Sequence, residues 1–147
     1  MKIYTIIGGV NGAGKSSLTG VLKTERSDLG KIIDVDKLAI QHNSFVEGGK
    51  AAVLMQAQYI REGISFTQET TLSGQRPLRM IREAKEAGYY VRLFYVGIST
   101  AQEALRRIEN RVNKGGHNIP RADVLRRFNE RNEALAKVLD YVDEAVL

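Results

Sequence analysis

The chain has 147 residues, of which 43% are hydrophobic and 27% charged, with a formal net charge of +5. That length suits one domain with one sizeable core, and the balance is ordinary globular usage rather than that of a disordered chain. There is no cysteine and there are two histidines, which excludes disulfides and thiolate zinc sites and leaves a transition-metal centre unexpected.

In chain order, Lys2 to Ile7 is short, β-branched and apolar, the pattern of a buried strand. It runs into Gly9-Val10-Asn11-Gly12-Ala13-Gly14-Lys15-Ser16, which fits the phosphate-binding pattern G-x-x-x-x-G-K-[ST] at every fixed position. A helix is expected from Lys15 to about Thr24, then a polar loop from Glu25 to Gly30 and a second strand from Lys31 to Val35. Asp36 is placed to cap a helix from Lys37 to about Phe45, with Gly48 and Gly49 breaking that segment. From Lys50 to Glu62, Val53, Ala57 and Ile60 fit a helix with one buried face, ended by Gly63. Ile64 to Thr70 reads as a third strand, and Leu72 to Gly74 turns into a helix carrying Leu78, Ile81 and Ala84, stopped by Gly88. Tyr89 to Ile98 is the longest strand. Ser99 is the expected cap of a helix bearing Ala101, Leu105, Ile108 and Val112, which Gly115 and Gly116 end. Pro120 opens the last helix, striped by Val124, Phe128, Leu135, Val138 and Val142.

Glu144 to Leu147 begins a strand, and the apolar Ala145-Val146-Leu147 end is expected to join the sheet or lead into further chain. Strands alternating with helices after a phosphate loop imply an α/β P-loop NTPase fold, with a mostly parallel sheet and helices on both faces. Residues 1–147 are read as one such domain. No apolar run approaches a membrane span and no signal peptide is read before the first strand, so the cytoplasm is the expected location.

The glycine turn brings backbone N–H groups from Gly9 through Ser17 onto phosphate oxygens, and the helix adds its positive end. Lys15 would reach the β and γ phosphates and Ser16 would hold Mg²⁺ through its hydroxyl, so a nucleoside triphosphate is the expected ligand. A GTPase would need an Asn-Lys-x-Asp base-recognition stretch, and the chain has none.

Asp34 and Asp36 end the second strand, which in an open parallel sheet opens on the same crevice as the loop. A carboxylate there can take a proton from an attacking hydroxyl or hold water on Mg²⁺; Asp36, lying past the strand, is the stronger candidate. Glu69, Thr70 and Thr71 end the third strand, and Glu69 could hold an acceptor's hydroxyls or support the Mg²⁺ shell. Arg76 is the nearer of two arginines, with Arg79, that could face the acceptor. Arg106, Arg107, Arg111, Lys114, His117, Arg121, Arg126 and Arg127 form a basic C-terminal half. Two helices joined through Gly115-Gly116-His117 and Pro120 form a small flap, expected to close over ATP and bring guanidinium groups to the phosphates.

GGVNGAGKSS, IIDVDKLA, FTQETTLSG, YYVRLFYVGI and RVNKGGHNIPRADVLRRF together resemble the zeta-toxin-like P-loop kinases. This family includes UDP-N-acetylglucosamine kinases of toxin–antitoxin systems. The resemblance covers most of the chain and implies an ATP-dependent kinase in which Asp36 activates the acceptor hydroxyl. It also implies that Glu69 sits at the acceptor site, and that Arg111 with Arg126 or Arg127 clamps the transferring phosphate. An antitoxin that blocks the ATP site is the implied protein partner. Established zeta toxins are considerably longer, with additional elements around the sugar-nucleotide site. The implied acceptor is therefore a small-molecule hydroxyl, with a nucleotide sugar such as UDP-N-acetylglucosamine as one instance. Two other readings stay open from the residues: a P-loop ATPase or nucleotide-binding regulator, and a polynucleotide 5′-hydroxyl kinase. The latter lacks an aromatic-plus-basic platform, so nucleic acid is not the expected partner.

Overall fold

A computed structural model of the chain describes residues 1–115 and 118–147. Five strands, β1 (Ile3–Gly8), β2 (Lys31–Ile33), β3 (Phe66–Thr70), β4 (Tyr90–Tyr95) and β5 (Glu144–Val146), form one sheet in the order β2-β3-β1-β4-β5. Every pairing is parallel. The helices are α1 (Lys15–Glu25), α2 (Val35–His42), α3 (Phe45–Glu62), α4 (Arg76–Glu86), α5 (Ala101–Asn113) and α6 (Arg121–Leu139). The parallel sheet, with α1 on one face and α3, α4 and α6 on the other, is the expected α/β architecture. Among the described residues no helix is long and apolar enough to cross a membrane.

Alternation along the strands sends side chains to two faces. On one face Tyr4, Ile6, Ile33, Phe66, Val91 and Leu93 pack with Ala52 of α3, Ile81 and Ala84 of α4 and Val138 of α6. The rings of Tyr4 and Phe66 stack there at 4.5 Å. On the other face Ile7 and Phe94 meet Leu22 of α1 and Leu29. A third, small cluster of Ala104, Ile108 and Val124 joins α5 to α6. The flap arms are thus held to each other by their own apolar contacts, and the flap tip expected at Gly116 and His117 lies outside the described residues.

Several boundaries differ from the sequence expectation, each for a local reason. β2 stops at Ile33 because Asp34 caps α2: its Oδ1 accepts the Lys37 N–H at 3.0 Å. Asp36 is therefore not the cap but a first-turn residue of α2. Asn43 in the left-handed region ends α2, and Ser44 caps α3 by accepting the Glu47 N–H. Gly48 and Gly49 sit inside α3 and do not break it. A Cβ at Gly48 would stand 2.6 Å from the Ala39 N, so this glycine allows α2 and α3 to touch backbone to backbone. Thr100, not Ser99, caps α5 through the Glu103 N–H. The terminal segment joins the sheet as β5, beside β4.

Arg92 on β4 points to the α1 face and is buried at 3% exposure. Its Nε donates to Thr5 Oγ1 at 3.0 Å, and its Nη1 and Nη2 reach the two Asp28 oxygens at 2.7 and 2.9 Å. Hydrogen bonds from Arg92 and then Arg26 hold the Asp28 carboxyl well below the ordinary carboxylate range. Asp28→Asn leaves the buried guanidinium underpaired, and we expect a loss of about 2 kcal/mol of stability at neutral pH. This is below the range for a fully buried pair because Asp28 is partly solvated. The depressed folded pKa supplies stability above the unfolded value of about 3.9, and that stability is lost as pH falls through the folded value. Denaturant melts of both proteins should therefore differ most near neutrality and converge in acid.

Candidate active site

β1 delivers the chain to the phosphate loop at the carboxyl edge of the sheet, between β3 and β4. Gly9 N–H donates to the Thr70 carbonyl at 3.2 Å and Val96 N–H to the Gly8 carbonyl at 2.8 Å, tying the loop's first residues to both neighbouring strand ends. Gly12 has φ +82°, and a Cβ there would stand 2.7 Å from the Ala104 carbonyl oxygen. The loop therefore lies directly under α5, an approach that only glycine permits. Gly14 precedes α1 and Val10 and Ala13 are buried, while Ser16 and Ser17 are exposed at the helix start.

Lys15 Nζ donates to the carbonyls of Gly9 at 2.7 Å and Val10 at 3.0 Å, folding back over the loop. Burial lowers its pKa to about 8; Glu69 opposes the shift, Arg111 and Arg127 add to it, and Asp36 weakly opposes it. These side chains share one electrostatic neighbourhood.

Glu69 leaves β3 toward α1. Its Oε1 accepts from Ser16 Oγ at 3.1 Å and its Oε2 from Thr19 Oγ1 at 3.0 Å. Ser16 and Glu69 together offer hard oxygen donors beside the loop, a set that fits Mg²⁺. Thr70 is held in the strand-end turn, where its Oγ1 accepts the Leu72 N–H.

Three arginines reach this edge from the flap arms. Arg107 Nη1 donates to the carbonyls of Gly12 at 3.2 Å and Ala13 at 3.4 Å, while Glu103 steadies its Nε. Arg111 Nη2 donates to Asp36 Oδ2 at 3.3 Å, spanning from α5 to α2. Arg127 Nη1 donates to Asn11 Oδ1 at 3.0 Å, and its Nε is buried with no hydrogen-bond partner among the described residues. Arg126 instead turns to Asp123 at 3.0 Å on its own helix and is more than half exposed. The structure thus brings Lys15, Ser16, Glu69, Asp36, Arg111 and Arg127 together and leaves Arg126 outside.

Arg76 lies elsewhere, on the rim of a cleft of about 320 Å³ between α2, α3 and the end of β3. Val35, the neighbour of Asp36, and Gln68, the neighbour of Glu69, also line it. Thr19, Gln56 and Gln68 are site-edge residues that the sequence reading did not name, and Arg107 was named only within the basic half. For Arg107 a signal existed: it is four residues before Arg111, hence on the same helical face.

With this geometry in view, the whole chain, residues 1–147, matches the Zeta toxin family. It belongs to that family. An uncharacterized protein of Haemophilus influenzae is 36% identical over 117 residues, covering 76% of this family member and 81% of the relative. Among solved structures, a chain of the PezAT chromosomal toxin-antitoxin system of Streptococcus pneumoniae has a TM-score of 0.71 at 19% identity. That match covers 99% of this chain and 67% of the other. A chain of the Pnkp1/Rnl/Hen1 RNA repair complex has a TM-score of 0.77 at 16% identity, covering 96% of this chain. This zeta toxin family member spans only 47% of that RNA-repair chain. Both likenesses are of fold.

Proposed function

We propose that this zeta toxin family member is an ATP-dependent kinase, built as one phosphotransferase unit, that moves the γ-phosphate to a hydroxyl of a small-molecule acceptor. The observation that carries the reading is the convergence of Lys15, the Ser16–Glu69 pair, Arg111 and Arg127 with Asp36, next to a cleft of acceptor size. Ser16 and Glu69 would hold Mg²⁺, which when bound neutralises charge on the β and γ phosphates. Backbone N–H groups from Gly9 to Ser17 would bind the phosphates, and Lys15 would exchange the Gly9 and Val10 carbonyls for phosphate oxygens.

An acceptor hydroxyl lying between the cleft and Asp36 attacks the γ phosphorus. The new O–P bond forms as the bond to the β–γ bridging oxygen breaks, the bond's electrons leave with ADP, and the hydroxyl proton passes to Asp36. Arg111 would release Asp36 as it turns to the incoming phosphate. Arg127, whose Nε lacks a partner, would grip the transferring group. Membership of the family makes a nucleotide sugar one acceptor to test, and the likeness to the PezAT chain supports a protein partner acting as antitoxin.

The test is transfer from γ-labelled ATP to separate panels of sugars, nucleotide sugars, nucleosides and oligonucleotides. Label on a small molecule is expected. Label found only in inorganic phosphate would make the protein an ATPase, and label only on oligonucleotide ends would make it a polynucleotide kinase; either contradicts the proposal.

The flap arginines give a paired prediction. Arg127→Lys keeps the charge and loses the planar fork, so kcat should fall about tenfold or more with ATP affinity little changed. Arg126→Lys, facing Asp123, should leave kcat and KM unchanged. Steady-state kinetics of the two variants check this. The reverse sensitivity would mean that α6 presents its other face to ATP.

A further inference from the structure

The cleft beside Asp36 has a chemistry of its own. Its apolar wall is Val35, Ala52 and Val53, and Gly49 contributes no side chain, leaving room for a carbon skeleton. Its polar lining is Lys50, Gln56, Gln68 and Arg76, with no acidic side chain among them. Gln56 is 4% exposed, its Nε2 donates to Gln68 Oε1, and its own Oε1 is buried without a hydrogen-bond partner among the described residues. A buried amide oxygen left unpaired is destabilising, so this atom favours any ligand that brings a hydroxyl or N–H to it. Gln68 and Glu69, adjacent on β3, point to opposite faces of the sheet, which separates the cleft from the Mg²⁺-binding side.

The cations are placed to be used. Arg76 makes no hydrogen bond or ion pair among the described residues, and Lys50 holds Glu47 only loosely, at 3.5 Å with both side chains exposed. An anion arriving at Arg76 displaces no partner and meets a guanidinium fork suited to a carboxylate or phosphate. The volume, about 320 Å³, is at the small end of ligand pockets, which run from about 300 to 1,000 Å³.

The geometry points to a compact, anionic, hydroxyl-bearing acceptor, such as a hydroxycarboxylate or sugar phosphate. Its anion is held by Arg76 with Lys50 nearby, and one of its hydroxyls donates to Gln56 Oε1. This rests on the kinase reading above and narrows its substrate class. The cleft encloses only part of a nucleotide sugar, and a neutral sugar leaves Arg76 unused. The Gln56–Gln68 pair suits this class because a neutral amide accepts a hydroxyl proton without repelling the anion, as a Glu at either position would.

The test uses the full chain labelled with ¹⁵N, reading the side-chain amide signals of Gln56 and Gln68 and the Arg76 Nε–H. One pool of compact hydroxycarboxylates and sugar phosphates is titrated against a pool of the matching neutral polyols and sugars, and UDP-N-acetylglucosamine is titrated alone. Saturable shifts are expected with the anionic pool, at least tenfold tighter than with the neutral pool. Arg76→Gln, an exposed and fold-neutral change, should weaken the anionic response at least tenfold, whereas ATP binding stays within threefold. Equal response to the neutral pool, response to UDP-N-acetylglucosamine alone, no response at all, or an Arg76→Gln variant that binds like wild type would each overturn the assignment. ADP formation, measured on the same samples with ATP and Mg²⁺, keeps the two readings apart. Amide shifts without ADP sink the kinase reading and leave this site standing. ADP formed only with neutral acceptors does the opposite.

Discussion

Lys15→Ala is expected to lower phosphoryl transfer by at least about 10³-fold and to weaken ATP binding strongly, because it removes the ammonium held over the loop proposed to bind the phosphates. The lost charge is also conditional in the native protein. Burial brings the Lys15 pKa down to about 8, with Glu69 opposing the shift, Arg111 and Arg127 adding to it, and Asp36 weakly opposing it. Below that pH the ammonium is present in the free protein; above it, ATP must bind together with a proton. Calorimetric titration should therefore show affinity roughly flat from pH 6.5 to about 8 and falling towards tenfold per unit above it. In Lys15→Arg the fall should vanish, because a guanidinium does not titrate there. The sign for stability is opposite. A lysine whose folded pKa is depressed binds fewer protons folded than unfolded, so the unliganded fold gains stability from this group as pH rises from about 8 towards 10.5. Wild-type transfer by Lys15→Ala would remove the phosphate-loop assignment altogether.

Asp36→Asn should lower kcat by about 10²- to 10⁴-fold, the range for losing a general base, while ATP affinity and melting temperature hold. The carboxylate is exposed and touches the rest of the protein through Arg111 at 3.3 Å, so little folding energy depends on it. The neighbouring acids are poor substitutes. Asp34 is engaged by the Lys37 N–H as the α2 cap, and Glu69 by the hydroxyls of Ser16 and Thr19. Full turnover by Asp36→Asn, measured alongside Asp34→Asn and Glu69→Gln, would move the base elsewhere.

The fold was legible, and so in part was which residues gather at the candidate site, because both rest on local rules. The phosphate loop is a contiguous pattern, and alternating strands and helices imply the parallel sheet. Glu69 stands at the end of β3 and Asp36 in the first turn of the helix after β2, and a parallel sheet gathers such positions on one edge. What was not legible depended on contacts distant in sequence. Gly48 and Gly49 look like a break in isolation, yet a glycine beside Ala39 is what lets two helices meet. Asp34 and Asp36 differ in role because the strand ends two residues earlier than its apolar run suggests. The Gln56–Gln68 pair joins α3 to β3, and no pattern in the sequence says that the two side chains meet. Arg127 was within reach of helix arithmetic: it follows the buried Val124 by three residues, so it flanks the packed face, whereas Arg126 follows by two and turns away.

The central claim is that the γ-phosphate goes to a hydroxyl held beside Asp36 and not to water. The ³¹P spectrum of the protein with ATP, Mg²⁺ and the compact anionic acceptors tests this most directly. The account predicts a new phosphomonoester signal that grows in step with ADP, is lost in Asp36→Asn, and is accompanied by little inorganic phosphate. ADP balanced entirely by inorganic phosphate, at the same rate with and without acceptor, would contradict it.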